Sequence, residues 1–424
     1  SMVLKKLVAD TNLATAHSIT LTSQNGSLVD DNQSDLNVRG SKLIASAYDD
    51  INLDTQVDEL TATTHEDGTG HITIDEKDSL VIKSAIAGNG NVIVGAGGDI
   101  TVVAINAADN NATDVTGDPA ALREVGNVEL TAKGTASGTT GFINDDGVDT
   151  TRIVAKALKL DAAGVVGGDS TQAANVRSLD TTVDEYTVTA KGVVNIAEAD
   201  GVKVKSVVTT GDVTLQSATG SLMIGSIATT TGGTTPTTVT LFATQGAVTD
   251  DLAEAADATT ELTNITADRL AVKAKTGIGS SDDLDVKLAM LEAETETGNI
   301  QFSDQIGDLA INDVTPGLSL SALNGVRAST SGNISLNVED GSLDQQREVS
   351  TTSGDISLTA KNSITVGSVL KTLLGKVDLT AQTGSITTEG DAPISAKGRV
   401  ASTDPVLAGV DGDITLTAKT AITI

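Results

Sequence analysis

GDISLTAKNSITVG (residues 354–367) alternates Ile356, Leu358 and Ala360 with Ser357, Thr359 and Lys361. It then turns through a polar corner into a second apolar stretch, Ile364 and Val366. Period two is the pattern of a strand with one buried face. The same phrase recurs as GKVDLTA (375–381), GDITLTA (412–418), GNVELTA (126–132), GNISLNV (332–338), GDVTLQS (211–217) and SITLTS (18–23). Most copies are introduced by Gly followed by Asp, Asn or Lys. Copies starting at 332, 354 and 375 are 22 and 21 residues apart. That interval is too short for a strand-helix-strand unit of about 30 residues. It suits one coil of a parallel β-helix, in which each coil contributes two or three short strands that stack on their counterparts. At roughly 21 residues per coil and about 4.8 Å between coils, the expectation is some 20 coils and a rod on the order of 95 Å long.

A longer period overlies the short one. SLVDD (27–31), FINDD (142–146) and AVTDD (247–251) are 115 and 105 residues apart, and each opens a similar passage. The passages continue with SKLIASAYDDI, KALKLDAAGVVGG and DRLAVKAKTGIGS and close with DSLVIKS, DGVKVKS and GDLAIND. The expected organisation is one continuous solenoid over 1–424. It holds divergent modules near 18–141, 142–246 and 247–331 and shorter repeats over 332–424. The last copy stops at Ile424 in its second strand without a polar cap, so the chain is expected to be a piece of a longer protein.

Composition narrows the function classes. There is no Trp, two Tyr (Tyr48, Tyr186) and three Phe, so aliphatic side chains must fill the core and ring packing cannot dominate it. Shared core or corner packing is the expected role of both tyrosines. A net charge of −30 spread along the chain repels phosphate backbones and anionic lipid, which argues against nucleic acid as a partner and favours a cation. There is no cysteine, hence neither a disulfide framework nor a thiol nucleophile. No apolar run of about 18 residues is present, so direct membrane insertion by a helix is not expected.

GDITLTA-type strands combined with ITADRLAVKAKTGIGSSDDLDVKLAMLEAETETGNIQF (265–302) resemble the repeat regions of filamentous-haemagglutinin-like adhesins and other giant bacterial repeat proteins. The resemblance implies a right-handed parallel β-helix, exported to the cell surface, that contacts a host or neighbouring-cell glycan or protein, or flanking repeats of its own chain. NPNG and NPNL, which mark the amino-terminal secretion domain of such proteins, do not occur here, so an internal or distal segment is implied.

The candidate site residues are the acidic pairs Asp30/Asp31, Asp145/Asp146 and Asp250/Asp251, which share one phase of the long repeat. Calcium takes several oxygen ligands, and adjacent carboxylates at loop corners could supply them with backbone carbonyls. The alternative is that they are solvated turn residues. AGNGNVIVGAGGDITV (87–102) has the glycine content of a calcium-binding nonapeptide, but Val92 stands where its Asp belongs. His65 and His71 flank EDGTG and could share a transition metal with Glu66 or Asp67. All three histidines, His17, His65 and His71, lie near the start of the chain and no nucleophilic Ser motif accompanies them, so no catalytic residue is assigned. The enzymatic alternative, a β-helical polysaccharide lyase or hydrolase, needs paired carboxylates in a groove, with loops departing from the repeat. The stretches 105–123 and 226–238 are the expected departures. A self-associating surface-layer or biofilm matrix segment is a third reading.

Overall fold

A computed structural model of the chain describes all residues except 10–16, 33–34, 66–69, 109–125, 135–140, 149, 151, 169–177, 253–261, 281, 318–319 and 397–411. The described residues form strands and turns, with no helix among them, and the strands pair in parallel. The chain divides into two compact units, Ser1–Thr210 and Gly211–Ile424, the division falling inside the second long passage read from the sequence.

In the second unit the opening phrase becomes the strands Ile356–Ala360, Ile364–Val366 and Leu370–Thr372. Each pairs in register with the equivalent strand one round earlier and one round later. Ile334 faces Ile356, which faces Val377, which faces Ile414. Leu336, Leu358, Leu379 and Leu416 form the row beside them. Corner residues Asn333, Asp355 and Lys376 mark rounds of 22 and then 21 positions. The next round, from Val377 to Ile414, is longer because it contains the stretch 397–411. The first unit carries an equivalent row through Leu28, Ile51, Ile72, Val92, Val128, Leu158 and Tyr186. Nearly every aliphatic side chain in these rows before the last strand is fully enclosed. Each such burial is worth about 1.5–3 kcal/mol, so stacking like on like supplies the core that aromatic rings do not. Tyr186 is the largest fully buried side chain and serves as core filler as expected, whereas Tyr48 is 41 % exposed and stacks on His65 with ring centroids 4.7 Å apart.

The Gly-Asn/Asp lead-in has a stacking cause. A Cβ on Gly332 would lie 1.8 Å from the carbonyl oxygen of Gly298, one on Gly354 2.2 Å from that of Gly332, and one on Gly375 1.9 Å from that of Gly354. Backbones therefore touch at this corner, and only glycine fits. The next residue ties the rounds together. Asn299 Oδ1 accepts from Asn333 N–H (3.0 Å), Asn333 Oδ1 from Asp355 N–H (2.9 Å) and Asp355 Oδ1 from Lys376 N–H (2.8 Å). The first unit repeats the device through Asp50, His71, Asn91 and Asn127.

One departure from simple alternation is not legible in the sequence. In the strands Val213–Ser217, Thr238–Ala243, Arg269–Ala274 and Met290–Thr297, the outward residues Thr214, Thr240, Ala271 and Glu292 are also buried. The connection after Ile311 lies across them. Gly317 N–H donates to Thr240 Oγ1 (2.7 Å), and the amides of Val314 and Gly325 donate to the two carboxylate oxygens of Glu292 (3.0 Å each). Of the departures expected from the sequence, 226–238 holds the short strand Ile227–Ala228 and then a loop pinned by Asp268, whose carboxylate accepts from Gly232 N–H (2.9 Å) and Thr237 N–H (2.8 Å). Most of 105–123 lies outside the described residues.

Candidate functional site

The acidic pairs occupy equivalent corners, and their two members differ. Asp30 Oδ1 accepts from Asn32 N–H (2.8 Å) and from the Asn37 side-chain amide (2.7 Å). Asp250 Oδ1 accepts from Leu252 N–H (2.6 Å) and the Asn264 amide (2.5 Å). Asn37 and Asn264 are fully buried, and each carries the link onward by accepting the amide of Asp54 (2.7 Å) or Asp285 (2.9 Å) in the following round. Asp145 Oδ2 accepts from Gly147 N–H (2.6 Å). Burial pushes Asp145 up to about 6 and raises Asp250, with repulsion from Asp146 and Asp282 adding to the respective shifts.

The second members are held differently. Asp31 is exposed and pairs with Lys5 at 3.8 Å, and Asp146 Oδ1 accepts from Val148 N–H (3.1 Å). Asp251 is half-buried, and its backbone N–H donates to Ile224 O in the preceding round (3.0 Å). The first carboxylate of each pair, and Asp146 as well, thus holds the backbone of its own turn, in the manner of an Asx turn. Among the described residues no three His, Asp or Glu side chains converge as a metal-holding group. His71 Nδ1 accepts from Asn91 N–H (3.0 Å) and His65 stacks on Tyr48, while Glu66 and Asp67 lie outside the described residues. In the glycine-rich 87–102 stretch, Val92 points inward and is fully buried, as a core position requires.

A second set of acids is not among the residues singled out from the sequence. Along Ile72–Glu76 the inward positions are Ile72, Ile74 and then Glu76, 1 % exposed. Along Val194–Glu198 they are Val194, Ile196 and Glu198, 2 % exposed. Along Ile300–Asp304 they are Ile300, Phe302 and Asp304, 0 % exposed. The cradles match. Glu76 Oε2 accepts from Thr55 Oγ1 (2.7 Å) and Val57 N–H (3.0 Å), and Oε1 from Asp78 N–H (3.2 Å). Glu198 Oε2 accepts from Thr181 Oγ1 (2.8 Å) and Val183 N–H (3.1 Å), and Oε1 from Asp200 N–H (3.3 Å). Asp304, one methylene shorter, accepts Leu288 N–H at Oδ1 (3.1 Å) and keeps a buried Oδ2 with no hydrogen-bond partner among the described residues. In each case the donor amide lies two residues beyond the residue facing the acid across the ladder. The signal is present as IDEKDSL (74–80), IAEADGV (196–202) and FSDQIGDL (302–309), where an acid takes the third inward position of an apolar alternation.

Burial pushes Glu76 up to about 8, helped by a side-chain hydrogen bond with Asp78 and opposed by the bonds from Thr55 and Val57. Burial likewise pushes Glu198 up to about 8, with Thr181 opposing and Asp200 reinforcing. Asp304 is pushed up to about 7 by burial, opposed by Leu288 N–H and reinforced by Glu339.

Several cations lie on the outer faces, in pairs between neighbouring strands. They include Lys159 with Glu129 (2.7 Å), Lys205 with Glu185 (3.1 Å), Lys273 with Glu294 (3.1 Å) and Lys371 with Glu348 (3.0 Å). An open groove of about 940 Å³ in the first unit is lined by cations and acids together, Lys5, Lys6, Arg39 and Lys77 with Asp54 and Asp75. Among the described residues no helix is long and apolar enough to cross a membrane. What these features define is an all-β protein of in-register parallel strands with repeated acidic corners. No family model, no curated protein and no solved structure matches the chain.

Proposed function

We propose that the chain is a right-handed parallel β-helix of roughly 20 coils of about 21 residues. We further propose that it serves as a non-enzymatic, extracellular structural and adhesive segment of a large bacterial surface or secreted protein. The observation behind this reading is the equivalence of successive rounds, Ile334 to Ile356 to Val377 to Ile414, with outward rows such as Asn337, Thr359, Thr380 and Thr417 repeating in register. A surface built by repetition presents the same polar groups many times, which suits multivalent, individually weak contact with a cell-surface glycan or protein. It does not favour a unique catalytic pocket. Calcium at Asp30/Asp31, Asp145/Asp146 and Asp250/Asp251 belongs to the same proposal: the outer carboxylates, with corner carbonyls, would be the ligands.

Deleting one round, residues 354–374, rejoins Ser353 to Gly375 and keeps the ladder continuous. The adhesive reading expects the shortened protein to fold and to bind glycan arrays and cells as the full chain does, with thermal stability of both rising in millimolar calcium. Depolymerisation of a polysaccharide, or loss of all binding on removal of that one round, would overturn it in favour of a β-helical lyase or hydrolase. An unchanged melting temperature with calcium would remove the metal from the proposal.

A further inference from the structure

Glu76, Glu198 and Asp304 sit where a charge has no compensation. Each is fully buried, and among the described residues each receives donors only from neutral groups: a Thr hydroxyl and backbone amides at Glu76 and Glu198, and one backbone amide at Asp304. The ionisable groups acting on them are all acids or phenols. Asp78 acts on Glu76, Asp200 acts on Glu198 with Tyr186 close enough to feel its charge, and Glu339 acts on Asp304. No Lys, Arg or His is among the groups that shift any of the three. An unpaired buried carboxylate costs several kcal/mol, so a proton is the simplest way to neutralise it. As a neutral acid, Glu76 can donate its proton towards the Asp78 carboxylate while still accepting from Thr55 and Val57, and Glu198 can do the same towards Asp200.

We propose that these three acids are proton-operated latches, one per long module, each holding its corner to the preceding round while protonated and releasing it on ionisation. The strands latched are Ile51–Gln56 to Ile72–Glu76, Leu179–Ala190 to Val194–Glu198, and Leu284–Lys287 to Ile300–Asp304. The threefold recurrence at one module phase, with the same donor offset, separates this arrangement from a single accidental buried acid. The upward displacement of all three by burial agrees with it.

The test is infrared spectroscopy in D2O with site-resolved hydrogen exchange. At about pH 6.5, exposed carboxyls with ordinary values near 4 are ionised. The wild type should then retain a carboxylic-acid C=O band that disappears by about pH 9.5 and that falls, in E76Q/E198Q/D304N, to the small remainder contributed by Asp145. Over the same range, exchange at the amides of Val57, Val183 and Leu288 should rise about tenfold or more beyond base catalysis, and only by base catalysis in the variant. If the triple variant does not fold, E76Q and E198Q alone should each remove their share of the band and quieten only their own amide. Absence of an acid band in the wild type, or exchange following base catalysis alone, overturns the proposal.

Discussion

The glycine corners allow two costs to be separated, because four glycines of the second unit combine close approach and left-handed backbone in all four ways. Gly332 has φ +136° and its added Cβ would meet Gly298 O at 1.8 Å. Gly341 has no left-handed φ, but its Cβ would meet Gly307 O at 1.7 Å. Gly307 has φ +89° and open space, and Gly233 has neither feature, with Thr235 O at 3.6 Å. Alanine at Gly307 should cost about 1–2 kcal/mol, the strain of a left-handed L residue. At Gly341 the rounds must part locally by more than about 1 Å to reach normal contact. That disrupts bonds such as Leu309 N–H to Ser342 O (3.0 Å), and with one or two ladder bonds lost the cost is about 2–4 kcal/mol. Gly332→Ala combines both effects, for about 3–6 kcal/mol, and weakens the bond from Ile300 N–H to Asn333 O (2.8 Å). Gly233→Ala should be neutral or stabilise by up to about 1 kcal/mol. Repeat arrays can unfold in parts, so the assay is native-state hydrogen exchange at Ile300, Leu309, Ile334 and Leu343 alongside urea denaturation. Gly341→Ala behaving like Gly233→Ala would refute the account of backbone contact between rounds.

Two further substitutions test the buried acids. Glu292→Ala leaves the amides of Val314 and Gly325 without acceptors and should cost about 2–4 kcal/mol, with limited proteolysis cutting within 312–325 faster than in the wild type. Glu76→Gln should act oppositely at high and low pH. Below the ordinary 4.5 the acid is neutral folded and unfolded, so replacement gains nothing and loses about 1 kcal/mol for the Asp78 amide bond. As pH rises from 4.5 towards 8 only the unfolded state gives up the proton, so wild-type stability falls. Above 8 the full penalty, an upper bound of about 5 kcal/mol, is present and the glutamine protein should be the more stable. Parallel chemical denaturation at about pH 4 and pH 9 checks the crossover, and a constant difference between the two proteins would contradict it.

Period-two alternation and the regular spacing of its copies were enough to specify parallel strands stacked one round apart, because a one-residue slip would turn every Ile and Leu of GDISLTA into water. The Gly-Asn/Asp lead-in was also visible, but its reason was not: the contact of Gly332 with Gly298 O and the Asn299–Asn333–Asp355 chain exist only between residues 22 to 34 positions apart. The acidic pairs were legible as a repeated phase, yet adjacency in sequence said nothing of direction. Only the fold turned Asp30 and Asp250 towards Asn37 and Asn264, left Asp31 facing Lys5, and tied the backbone of Asp251 to Ile224. Glu76, Glu198 and Asp304 read as ordinary polar residues at strand ends, because charge alone suggests exposure. Their enclosure depends on which strand lies beside them and where its Thr or amide falls. Local alternation decides which face of a strand is buried, whereas the register between rounds decides what each buried group meets.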